Sequence, residues 1–76
     1  MDINSFIENF AGQFADFSSE LTPETKFREL PEWTSLEALL VLSMIDEEYD
    51  VVLKPEEMRK AGTIQDLYEL TASKIG

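Results

Sequence analysis

Ile3, Phe6, Ile7, Phe10, Phe14 and Phe17 recur every three or four residues, with Asn9, Gln13 and Asp16 on the other side. That period lines large apolar side chains along one side of a helix and obliges the chain to bury them against something. The rest of the sequence offers helical partners. Ala38, Val41, Leu42, Ile45 and Tyr49 repeat the period in a second segment, and Ile64, Leu67, Tyr68, Thr71 and Ile75 repeat it in a third. A strand is conceivable only over "YDVVL", which has nothing to pair with. The stripes therefore predict an all-α fold: a compact four-helix bundle with a long first loop and a short third helix, forming one domain over residues 1–76.

Capping signals mark the boundaries. The segment "SSELTPETKFRELPEWT", 18–34, carries two prolines and no sustained period. It reads as a long loop pinned by Leu21, Phe27, Leu30 and Trp33, which would position whatever follows. Thr34 and Glu37 fit the TxxE capping box, so a helix is predicted from Ser35 or Leu36 to about Tyr49. Opposite its core stripe, Leu36, Leu40, Ser43 and Glu47 form a second stripe that begins with two leucines where a surface helix should be polar. Such a helix is either central in a core or partly reserved for a partner. Pro55 suits the first position of a third helix, Glu56 and Glu57 suit its positive end, and Gly62 is expected to stop it after roughly two turns. Thr63 and Asp66 repeat the capping pattern for the last helix, with Lys74 near its negative end.

Composition excludes several function classes. The chain has neither Cys nor His, which removes disulfides, zinc fingers, thiol nucleophiles and any internal Ser/His pair. A serine hydrolase is excluded on that ground and by size, so any chemistry at Ser35 needs a base from another protein. Six Lys and Arg stand against sixteen Asp and Glu, a formal charge of −10. This repels nucleic acid and anionic lipid and attracts basic protein surfaces. The longest apolar run, Ala38 to Ile45 broken by Ser43, is too short to span a bilayer, and the acidic start "MDINSFIENF" lacks the basic region of a signal peptide. The expectation is a cytoplasmic protein with no membrane insertion and no nucleic-acid partner. Asp46, Glu47 and Glu48 concentrate charge near the end of the second helix, with Glu56 and Glu57 a second cluster; a divalent cation could be held loosely between the two, but the spacing demands none.

The order of a phenylalanine stripe, a loop ending "FRELPEWTSL", a helix "EALLVLSMIDEEY", a short "PEEMRKAG" segment and a final "TIQDLYEL" resembles the acyl carrier protein family over essentially the whole chain. The most specific element is the "SL" of "TSL", preceded by "F..L" and followed by an apolar helix ending in "DEEY". In that family the serine opening the second helix is esterified with 4′-phosphopantetheine from coenzyme A, and the terminal thiol carries acyl groups as thioesters. Ser35 matches that position. The resemblance implies a monomer without catalytic activity of its own, serving fatty-acid, polyketide or related specialised biosynthesis. Its partners would be a phosphopantetheinyl transferase and enzymes that activate or transfer acyl groups, docking through basic surfaces on Thr34, Leu36, Leu40, Asp46, Glu47 and Glu48. The chain departs from the family pattern at Thr34, where Asp is commoner, at Pro31 in place of Gly, and at Leu40 and Ser43, often Glu and Met in fatty-acid carriers. These departures point to a specialised member. The alternative is an unmodified carrier-like module that binds a protein through the acidic second helix.

Overall fold

A computed structural model describes residues 2–14 and 20–75. Four α-helices make up the described regular structure, α1 (Ile3–Ala11), α2 (Ser35–Tyr49), α3 (Pro55–Met58) and α4 (Ile64–Lys74), with one 3₁₀ turn at Phe27–Glu29 in the first connection. No strand occurs among the described residues, and the bundle is all-α as expected. Within "YDVVL", Tyr49 instead closes α2 and Asp50 is left-handed, after which Val51 and Leu53 are buried and Val52 is exposed between them. The radius of gyration, 11.2 Å, is what a closely packed chain of this length should have, about 11 Å.

α1 begins where the Asp2 carboxylate accepts from the Asn4 and Ser5 amides at 3.3 and 3.4 Å. It ends earlier than the phenylalanine stripe implies. Glycine disfavours helix interiors by about 1 kcal/mol, and at Gly12 the helix gives way to a turn in which the Gln13 and Phe14 amides donate to the Phe10 and Ala11 carbonyls. That turn still delivers Phe14 to the core, where it is 8% exposed. Asp16 and Phe17 lie outside the described residues.

The stripe does bind the bundle together. Phe6 meets Tyr49 of α2 and Tyr68 of α4, both with ring centroids 5.6 Å away. Phe10 packs against Phe27 at 5.7 Å and stacks on Trp33 at 6.1 Å, while Phe27 and Trp33 make an edge contact at 5.0 Å. Asn9, on the polar side of the stripe, donates from Nδ2 to the Tyr49 hydroxyl at 3.0 Å. The long first connection is thus anchored through its own aromatics. A second tie fixes it to α4, whose Ile64 and Gln65 amides donate to the Thr25 and Pro23 carbonyls at 3.0 and 2.8 Å.

α3 is one turn long. It stops at Met58, and the chain turns through Arg59 and Lys60 before reaching Gly62, so Gly62 is not its terminator. The chain tightens into turns over residues 57–61 that continue from the helix end, with the Lys60 and Ala61 amides donating to the Glu57 and Met58 carbonyls. Met58 and Ala61 are both buried there. α4 carries the full capping box: Thr63 Oγ1 accepts from the Asp66 amide, and Asp66 Oδ2 from the Thr63 amide, each at 3.1 Å.

Candidate functional site

Ser35 is the first residue of α2 and is exposed. Thr34, extended at φ −136° and ψ 171°, caps the helix by accepting the Glu37 amide on Oγ1 at 3.2 Å. The reciprocal half of the expected box does not form: Glu37 Oε2 is buried with no hydrogen-bond partner. At the start of a helix the first amides have no intrahelical carbonyl. Here Thr34 takes the third, leaving those of Ser35 and Leu36 at the exposed positive end of the dipole. α4 differs. Its Thr63, Ile64, Gln65 and Asp66 amides are all engaged by side chains or loop carbonyls.

A cleft of about 460 Å³ opens beside the serine. Trp33, Ala38 and Met58 give it apolar walls, Thr34 and Ser35 form one edge, and Arg28 and Arg59 reach it from the 3₁₀ turn and from the end of α3. Arg28 Nη1 donates to the Arg59 carbonyl at 2.6 Å, tying the loop to the α3 turn. The aromatic packing of Phe10, Phe27 and Trp33 holds the loop against α1 and so fixes where α2 can start.

The remaining predicted site residues share α2 but not one locus. At about 100° and 1.5 Å per residue, Ser35, Leu36, Leu39, Leu40, Ser43, Asp46 and Glu47 fall within one arc of about 140°. All are exposed, the three leucines by 64%, 60% and 37%. Glu48 falls outside that arc, on the side shared with buried Val41 and Met44, and is exposed near the helix end. Asp46 and Glu47 lie roughly 16–18 Å along the axis from Ser35, so the acidic end and the serine are opposite ends of one surface. Leu39 is a member that the expected stripe omitted, although its spacing of three from Leu36 and four from Ser43 carries the signal. On the core side the stripe likewise omitted Met44, 3% exposed and three residues after Val41.

No helix among the described residues is long and apolar enough to cross a membrane, and no group of three or more acidic side chains there could hold a metal ion. No family model matches the chain, nor does any curated protein or solved structure.

Proposed function

We propose that this protein is an acyl carrier, with 4′-phosphopantetheine attached through a phosphodiester to Ser35. The observation that carries the proposal is the setting of Ser35: an exposed hydroxyl on the first residue of a fifteen-residue helix, beside a cleft with apolar walls and two arginines. The residues there fit the group. A phosphodiester anion on Ser35 lies near unengaged amides and the positive end of α2, where negative charge is favoured. The cleft takes apolar and amide segments of a flexible arm. When attached, the arm supplies the thiol that the cysteine-free chain lacks.

The chain's own contribution is positioning. Thr34 holds the helix start, the Trp33 and Phe27 packing holds the loop, and Ser35 offers its hydroxyl outward. No internal base is at hand in a chain without His, so the serine proton leaves to a base on the modifying transferase. The exposed leucines with Asp46 and Glu47 form the face on which partner enzymes dock, basic patches meeting the acidic end.

Incubation with a broad-specificity phosphopantetheinyl transferase and coenzyme A, followed by intact mass and peptide mapping, should find one adduct on Ser35. An adduct on Ser43 or Thr34, or none, overturns the assignment; no adduct favours an unmodified interaction module using the same face. Ser35→Ala should abolish the adduct while costing at most about 1 kcal/mol, because Thr34 keeps the cap.

A further inference from the structure

Both arginines of this chain reach the cleft beside Ser35. Their surroundings are unusual for so acidic a protein. With sixteen carboxylates against six cations, a surface arginine is expected to find an acidic neighbour. Yet the one salt bridge among the described residues joins Lys74 to Glu57. Arg28 spends one N–H on the Arg59 carbonyl and lies with its guanidinium carbon 5.9 Å from the Phe27 ring centroid. A guanidinium has five donors, so most of its capacity remains. Arg59 makes no ion pair among the described residues.

Two cations without carboxylate partners among the described residues, lining the same cleft as Ser35 at the positive end of a helix, suit a singly charged oxyanion with several acceptor atoms. Resting on the attachment proposed above, we infer that Arg28 and Arg59 clamp the phosphodiester on Ser35 and lay the first part of the arm into the cleft against Trp33 and Met58. Arginine suits this role because its planar fork meets two phosphate oxygens at once, which a lysine ammonium cannot do with the same geometry. The Arg28 bond to the Arg59 backbone sets the spacing of the two segments, so the clamp is prepared before the phosphate arrives. Its hold is electrostatic and partly exposed, and it weakens as salt screens it. A partner enzyme offering its own donors to the phosphate can then free the arm.

The test uses the full chain, loaded from coenzyme A and checked by intact mass. The two arginine Nε–Hε signals and the Trp33 indole signal are followed by ¹H–¹⁵N NMR before and after loading, with the ³¹P resonance of the loaded form. Both arginine signals and the indole should shift on loading, and the shifts should shrink in high salt. Arg28→Gln with Arg59→Gln should move the ³¹P resonance toward that of free phosphopantetheine. Arg59→Gln alone retains the Arg28 bond to the backbone carbonyl, so it keeps the loop tie and should give a smaller ³¹P displacement in the same direction. Loaded protein whose arginine signals do not move, or whose ³¹P resonance is the same in the Gln variants, overturns the clamp and leaves the Ser35 attachment standing. Absence of any adduct overturns both.

Discussion

Thr34 and Ser35 divide two tasks that one residue often performs. Ser is a good cap, but here the cap is Thr34, whose hydroxyl takes the Glu37 amide, and Ser35 is released from structural duty. Thr34→Ala should therefore destabilise the protein by about 1 kcal/mol, whereas Thr34→Asp, which caps as well and adds charge at the positive end, should hold stability within a few tenths of a kcal/mol. Thermal melts of the two variants beside wild type decide this; equal losses would mean that the cap is not the role of position 34. The Asp variant should also load faster with a transferase that docks through basic groups, most visibly at low salt, because added charge raises encounter rate. Equal loading rates at every ionic strength would refute that part. The start of α2 was legible in the sequence because a TxxE pattern after a proline-bearing loop has few other meanings. The fate of Glu37 was not. A glutamate three residues after a cap can turn back to the cap amide or pack against its surroundings, and tertiary contacts that the spacing does not encode leave one of its oxygens buried without a partner.

The ends of the helices differ in ways that reveal what each is for. α2 has no basic residue in its last turn and closes on Asp46, Glu47 and Glu48, carboxylates at the negative end of a dipole, where they are unfavourable. It is then terminated by Asp50 in the left-handed region at φ 55°, its amide donating to the Asp46 carbonyl. Left-handed backbone costs an L-residue roughly 1–2 kcal/mol, less for Asp than for most. Asp50→Gly should relieve both the backbone cost and one repulsive charge, raising stability by about 1 kcal/mol; chemical denaturation measures it, and a loss of stability would show that the carboxylate has a compensating contact. α3 behaves oppositely. Glu57 accepts from the Lys54 amide at 3.1 Å and pairs with Lys74 of α4 at 2.7 Å. The Lys74 hydrogen bond, then the Lys54 amide, hold its carboxyl below the usual value. A depressed carboxyl stabilises the fold above its unfolded pKa, and the contribution fades as pH falls through the folded pKa. Wild type should therefore out-melt Glu57→Gln near neutral pH, with the two curves converging in acid; a gap that persists in acid would assign the difference to something other than this charge. The two faces of α2 explain what the sequence could and could not convey. Val41 and Ile45 mark the core side, but a helix carrying leucine or methionine on nearly every side has almost no amphipathic contrast, so the spacing signal at Met44 and Leu39 is weak and the burial of the packed helix is what separates them, Met44 inside and Leu39 outside.

Over the whole molecule, like-charge repulsion opposes the packing of the core. The core is continuous, from Phe6 and Phe10 through Phe27, Val41 and Ile45 to Ile64 and Leu67, all fully buried, and apolar burial of that kind is indifferent to ionic strength to first order. The charge is not. A net −10 sits on a body measuring 34 × 23 × 20 Å. At 0.01 M salt the Debye length is about 30 Å, so nearly every carboxylate feels every other; at 1 M it is about 3 Å and only direct neighbours interact. Screening also weakens the Lys74–Glu57 pair, which acts in the opposite direction. That loss is small, because a single solvent-exposed pair is already weakened by water and side-chain freedom, and it is set against repulsion among many carboxylates that the folded chain holds closer together than the unfolded one. Repulsion should win. Raising NaCl across that range should increase the melting temperature by several degrees, since about 1 kcal/mol corresponds to roughly 4–8 °C in a domain of this size. The rise should persist in Glu57→Gln, which lacks the charged pair but keeps most of the surplus charge. A melting temperature that is flat or falls with NaCl in both proteins would mean that the acidic surface is already relaxed by its own spacing, and that the charge at the end of α2 exacts no stability cost.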